Sequence, residues 1–330
     1  MANTATVIAH RLRGLAAAMT APIAQKFPAP TGAQRLTRRR LELIEHAERQ
    51  GWHLQKVQAA LLALAEGHEQ GTVPPCLATM TTRAAVEALV RDPTASAASV
   101  ALQALLPASV GQPTLAQRIA RLEREVLWLR LPGFFPTPAP VAERLLDVAH
   151  IAPGMSVLEP SAGTGTLADA IRCRCPTATV SVIEWQHSLV EVLQLKGYEV
   201  LSRDFLTFPS PEQMPARFDR LVMNPPFEQE QDIAHVRHAT SLLRPGGRVV
   251  AIVSEGAFVR QSRTAQAFCQ WLAEQSSVTE AVPAGAFAQT GRPTAVRCRI
   301  VVIEAAPGSF SPRMTKTPCL QETGDAARTA

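Results

Sequence analysis

The stretch Leu221-Val222-Met223-Asn224-Pro225-Pro226-Phe227 constrains this chain more than any other. An apolar run following Phe218-Asp219-Arg220 reads as a short buried strand. The strand cannot continue through two prolines, which donate no N–H and lock the backbone. A residue ahead of a proline is held extended, so Asn224 is fixed in orientation. The product is a stiff loop at a strand's C-terminal end that presents an amide, a proline carbonyl and an aromatic face. Such a loop suits a flat group carrying an NH2. The Asn224 oxygen and the Pro225 carbonyl accept from the amino hydrogens, and Phe227 stacks on the ring. Taken alone, the stretch also reads as a proline-stiffened turn.

What surrounds the loop alternates strand and helix. Strands are expected near 155–159, 179–184, 198–202, 219–223, 247–254 and 296–304. Helices are expected near 139–149, 166–173, 187–196, 230–243 and 263–274. This order predicts an α/β domain over residues 131–305 with a parallel, doubly wound sheet. Residues 1–130 read as a mostly helical region, with helices at 4–19, 33–50, 53–67, 82–91 and 113–130. The last of these carries Leu115, Ile119, Leu122, Val126 and Leu129 on one face. Pro132-Gly133 marks the boundary between the two. Residues 306–330 are polar and rich in Pro, Thr, Ser and Ala, and are expected to be disordered.

Within the second domain, Met155 to Glu159 runs into Pro160-Ser161-Ala162-Gly163-Thr164-Gly165 and then a helix. Glycines there let a backbone approach a ligand, and a helix N-terminus attracts negative charge. A Gly-x-Gly turn fits a dinucleotide or a plain tight turn, and the third glycine of the dinucleotide fingerprint is absent. Glu184 ends the next strand, where a carboxylate accepts both hydroxyls of a ribose or is simply a solvated loop acid.

Asn224 to Phe227 resembles the catalytic motif of amino methyltransferases that use S-adenosylmethionine (SAM), above all the DNA adenine-N6 enzymes. Glu159 to Gly165 resembles their SAM-binding loop, including Ser161, Gly163 and Gly165. Phe135-Pro136-Thr137 resembles their N-terminal cofactor motif, which contacts the methionine end of SAM; a hydrophobic staple before a helix is the alternative. The resemblance covers about residues 131 to 305. It implies a Rossmann-like SAM-methyltransferase fold and SAM as cofactor. It further implies that Asp204 bonds the cofactor's adenine amino group, with Phe205 packed nearby. The implied catalytic residues are Asn224, Pro225, Pro226 and Phe227.

The reaction implied is methyl transfer to adenine N6 in DNA. The alternatives are an RNA methyltransferase acting on adenine N6 or guanine N2, a protein-glutamine methyltransferase, or a nucleic-acid-binding protein with a vestigial SAM pocket. Enzymes with this motif order usually carry a long target-recognition region after the catalytic domain. Only a short stretch follows residue 305 here, so recognition is expected from the basic N-terminal region, or specificity is relaxed.

Composition bears on the partner. The chain of 330 residues has 46% hydrophobic and 18% charged residues, a net charge of +5 and a pI near 9.1. That balance permits a polyanion, and the reading is a nucleic acid, DNA over RNA. Arg35-Leu36-Thr37-Arg38-Arg39-Arg40 is either a solvated basic face or a phosphate-contacting patch. Trp52 either stacks on a base or packs internally, and Arg292 either touches a phosphate or sits in a plain loop. No Asp or Glu precedes Glu42, which suits a nucleic-acid-facing arm and equally a transit peptide. The six scattered cysteines read as reduced thiols with no metal spacing, and no apolar run is long enough for a membrane. A cytoplasmic setting is expected.

Overall fold

The computed structural model describes residues 4–27, 37–208, 218–288, 290, 292 and 294–306. The start of the basic cluster, Arg35-Leu36, and the tail from residue 307 lie outside the described residues.

The chain begins with helices α1 (Thr4–Ala17), α2 (Thr20–Ala24), α3 (Arg38–Gln70), α4 (Arg83–Arg91) and α5 (Ala97–Ala104). They enclose one apolar core, in which Leu12, Leu61, Leu64, Leu77, Val86 and Leu102 are buried. The sequence predicts two helices broken at Gly51, whereas α3 runs through it without interruption. Gly51 is buried there, and a Cβ on it would lie 2.6 Å from Cζ of Phe27. The glycine serves close packing rather than termination, and the neighbouring Trp52 packs against Phe27.

Helix α6 (Leu115–Leu129) opens with a capping box between Thr114 and Gln117. On one side it meets α3 through Arg124, whose guanidinium lies 2.5 Å from the carboxylate of buried Glu48. On the other it meets the sheet domain.

That domain begins with α7 (Ala139–Ala149). It continues with β1 (Ser156–Glu159), α8 (Thr166–Arg174), β2 (Thr179–Ile183), α9 (His187–Leu195), β3 (Glu199–Ser202) and β4 (Phe218–Met223). It ends with α10 (Gln231–Ser241), β5 (Leu243–Ser254), α11 (Gly256–Val259), α12 (Arg263–Ala273), β6 (Ser276–Ala281) and β7 (Cys298–Glu304). The sheet order is β3-β2-β1-β4-β5-β7-β6. Strands β1 to β5 pair in parallel, and β7 is antiparallel to both of its neighbours.

Both faces of the sheet are covered, which is why its central strands read as unbroken apolar runs. Leu221 and Met223 face Ile233 and Val236 of α10, while Val222 between them faces the side of Leu145, Leu146 and Ile171. The parallel, doubly wound expectation holds for β1 to β5, and the mixed edge is the difference. Strand β6 was not expected, because its residues Ser276 to Ala281 are polar; it is an edge strand with Val278 68% exposed. Strand β5 starts earlier than expected, at Leu243, since its Pro-Gly-Gly segment is taken into the strand across a register shift.

The Arg124–Glu48 pair yields a stability prediction. Arg124→Met leaves a buried carboxylate unpaired and is expected to cost about 3 kcal/mol, read as a lower denaturation midpoint. Adding Glu48→Leu should restore most of that loss; a double variant as unstable as the single one would contradict the pairing.

Candidate active site

The sheet reverses its winding between β1 and β4. In open α/β sheets the crevice at the carboxyl ends of the strands at this switch point is where ligands bind. A cleft of about 620 Å³ opens there. Its walls come from the turn after β1, the ends of β2, β3 and β4, the segment 132–137, and His235 of α10.

Of the residues the sequence singles out for the cofactor, Phe135, Pro136, Thr137, Glu159, Ser161, Gly163, Glu184, Asp204 and Phe205 all line this cleft. Gly165 does not. It occupies the N-cap of α8 at φ +84°, and a Cβ there would lie 2.9 Å from Leu193 Cδ2, so it serves the turn and the packing beneath it. Of the four catalytic candidates, Asn224 and Pro226 line the cleft. Pro225 is buried, and Phe227 is half-buried against the apolar cluster that contains Phe287. Phe227 therefore does not line this cleft, and only its exposed part is left for the stacking expected of it. The apolar side of the ring finds more area against the core than over open solvent.

Asn224 is held tightly. Its Nδ2 donates to the Phe135 carbonyl at 3.0 Å and to Thr137 Oγ1 at 3.1 Å. A carbonyl only accepts, so the amide orientation is fixed and Oδ1 turns the other way. Among the described residues nothing donates to Asn224 Oδ1 or to the Pro225 carbonyl. The segment that receives Nδ2 is itself tied down. The Gly133 N–H donates to Glu228 Oε1 at 2.9 Å. Arg292 donates to the carbonyls of Leu131 and Phe134 and lies over the Phe135 ring, 4.5 Å from its centroid. Arg292 thus binds its own chain, which corrects the phosphate reading of that residue.

The carboxylates divide by burial. Glu159 Oε2 accepts from Ala168 N at 2.8 Å, and burial pushes its carboxyl well above the ordinary range. Glu184 accepts from Gly163 N at 2.7 Å and from Gln186 N at 2.9 Å; burial raises it as well, against those bonds. The Trp185 N–H faces the same carboxylate, and three backbone donors still leave a lone-pair site open. Asp204 is exposed at the rim and accepts from Leu206 N at 3.0 Å.

Among the lining residues that the sequence did not single out, Trp185 and His235 stand out chemically. Trp185 follows Glu184 directly and is 70% exposed, a large flat surface beside the second strand's acid. Its signal was available as an aromatic just past a strand-ending carboxylate. His235 is buried on α10, its Nδ1 3.3 Å from Ser161 Oγ, and its ring meets Phe205 edge-on at 5.3 Å. Nothing in its local sequence distinguishes it from a core histidine.

The sequence of residues 141–275 matches the methyltransferase small domain family. That segment is a methyltransferase domain. A modification methylase, CviBIII, of Paramecium bursaria Chlorella virus NC1A is 31% identical over 29% of this chain and 26% of its own length. A release factor glutamine methyltransferase of Aliivibrio fischeri is 31% identical over 34% of this chain and 42% of its own. The chain thus spans between a quarter and just over two-fifths of the length of these curated relatives. The structure of TrmN from Thermus thermophilus superposes with a TM-score of 0.38 at 23% identity, covering 55% of this chain and 52% of that one.

SAM is the cofactor of such domains, and the cleft of this methyltransferase domain fits it. The fit rests on the donor set. A group carrying a sulfonium and an ammonium meets a wall with Glu159, Glu184, Asp204 and Glu228. The backbone approach at Gly163 needs the missing side chain, since a Cβ there would lie 2.8 Å from Phe134 Cε2.

His235 gives the methyltransferase domain a pH signature. Burial lowers its pKa from 6.5 to about 4. Above pH 6.5 neither the folded nor the unfolded chain protonates this ring. Between 6.5 and about 4 only the unfolded chain does, so the contribution present above 6.5 is lost as pH falls through this window. Comparison with His235→Gln isolates it. The stability difference, wild type minus variant, should decline by up to about 3 kcal/mol from pH 7 to pH 4. A flat difference in pH-dependent denaturant melts would exclude a buried neutral ring.

Proposed function

We propose that the protein transfers the methyl group of SAM to the N6 amino group of adenine in DNA. The observation that carries this reading is the orientation of Asn224. Its Nδ2 is committed to Phe135 and Thr137, which leaves Oδ1 of this cleft-lining residue as an acceptor, with the Pro225 carbonyl next along the chain.

Bound in the cleft, SAM would supply an electrophilic methyl on a sulfonium. The chain's own contribution is orientation. An exocyclic amine is a poor nucleophile because its lone pair is delocalised into the ring. Two acceptors on its hydrogens favour a tetrahedral nitrogen and turn the lone pair out of the ring plane. The same two dipoles stabilise the positive charge that gathers on nitrogen, and much of the rate would come from positioning. The S–CH3 bond would break as the N–CH3 bond forms, leaving a neutral thioether. The methylated nitrogen would then release its proton to solvent, so no separate strong base is needed before transfer. A base in a duplex must first leave the stack, at a cost of a few kcal/mol. The exposed part of Phe227 is the surface on which it would rest.

For the cofactor, Glu184 would meet the ribose hydroxyls with its open lone-pair site, Trp185 and Phe205 would flank the adenine, and Asp204 would accept from its amino group. Phe135 to Thr137, Glu159, Ser161 and the Gly163 backbone would take the methionine end. Pro226 would close the wall between the two ligands.

A second reading, methylation of another planar NH2, is favoured by the same acceptor pair and by the glutamine methyltransferase among the relatives. RNA adenine or guanine and a protein glutamine amide present equivalent hydrogens.

Methyl-labelled SAM offered with duplex DNA, single-stranded DNA, RNA and protein in parallel tests the proposal. Label recovered as N6-methyladenine from DNA is expected, and label in another acceptor would replace the substrate. Asn224→Ala should lower turnover roughly 10²- to 10³-fold. Its SAM affinity should change by no more than about tenfold, since only two ordinary hydrogen bonds to the cofactor segment are lost. Near-normal turnover in that variant would refute the catalytic assignment.

A further inference from the structure

Helix α6 touches the cofactor turn without entering the cleft. Lys196, just past α9, places its ammonium 2.7 Å from Glu123 of α6, 2.7 Å from Asp169 of α8 and 2.8 Å from the Thr164 carbonyl. Three acceptors match the three donors of an ammonium. Lys196 is only 13% exposed, so water competes poorly for these bonds. Thr164 lies between Gly163 and Gly165, both at positive φ, and lines the cleft.

A second path runs through apolar contacts. Val126 of α6 forms a buried cluster with Phe134 and Leu189. The Phe134 ring in turn lies against Gly163, close enough that a Cβ there would be 2.8 Å away. One turn of α6 therefore presses on the glycine turn from two directions. The adjacent residue, Arg124, fastens the same turn of helix to Glu48 in α3.

We propose that α6 is a strut: through Glu123 and Val126 it positions the Gly163–Gly165 turn, and it links the helical region energetically to the cofactor site. Glu123 and Val126 are positioning residues and contact no ligand. Coupling of this kind is reciprocal. Whatever engages the helical region and shifts α6 alters SAM affinity, and SAM alters that engagement by the same factor. The link to SAM rests on the cofactor assigned above, whereas the ordering of the turn does not.

The test uses the full chain with Glu123→Gln, Lys196→Met and, as control, Glu125→Gln, which breaks only the exposed pair with Arg121. Two readouts are taken: SAM affinity by calorimetry, and amide hydrogen exchange over residues 162–168 in the free protein. Glu123→Gln is expected to weaken SAM about fivefold, Lys196→Met more, and Glu125→Gln not at all. Exchange in the turn should quicken in the first two variants alone. Unchanged exchange, or quicker exchange with unchanged SAM affinity, overturns the strut. A wild-type chain that binds no SAM would remove the cofactor reading instead, and unchanged exchange would then still overturn the strut.

Discussion

Residues 131–137 cross the mouth of the cleft as irregular chain, and their backbone polar groups must be satisfied from elsewhere. Everything around the cleft is organised by that requirement. Asn224 gives its amide hydrogens to the Phe135 carbonyl and to Thr137. Glu228 takes the Gly133 N–H, and Arg292 covers the carbonyls of Leu131 and Phe134. Two distant parts of the sequence, residues 224–228 and Arg292, thus converge on one short segment. The same bond that satisfies Phe135 determines which atom of Asn224 remains as an acceptor. A structural obligation and a chemical orientation are one interaction.

Burial sets the electrostatic character of the cleft in a similar way. Glu159 and Glu184 are desolvated, which disfavours their charge, yet each is braced by backbone N–H donors. A cation entering the cleft supplies what burial removed, so these acids are poised to reward a positively charged ligand. His235 faces the same desolvation and stays neutral, leaving Ser161 a partner without placing a positive charge beside the acids.

Much of the fold could be read from the chain because the central strands are buried on both faces. Leu221 and Met223 point one way and Val222 the other, and a run with no polar face is unambiguous. The failures have the opposite cause. Strand β6 is an edge with Val278 exposed, so it carries no apolar run. Gly51 looked like a helix end because a glycine's use for close packing depends on Phe27, more than twenty residues earlier. Within the site, residues whose backbone makes the pocket, such as Gly163, were legible as spacing. His235 and Arg292 were not, since what defines each is a partner brought near only by the fold.

An acceptor pair of this sort discriminates poorly between planar amines. On the proposed reading adenine, guanine and a glutamine amide would each bring two hydrogens to the same two oxygens, and among the described residues none donates to Asn224 Oδ1 to reject one of them. Rejection by an unpaired buried group, the strong form of selectivity, is therefore not available at these atoms. Choice among acceptors must arise from surfaces that meet the rest of the substrate. Arg124 fastens α6 to α3 of the helical region, and Lys196 joins Glu123 of the same helix to the Thr164 carbonyl in the glycine turn. On the proposed reading, a surface attached there would select the acceptor and couple its binding to the cleft.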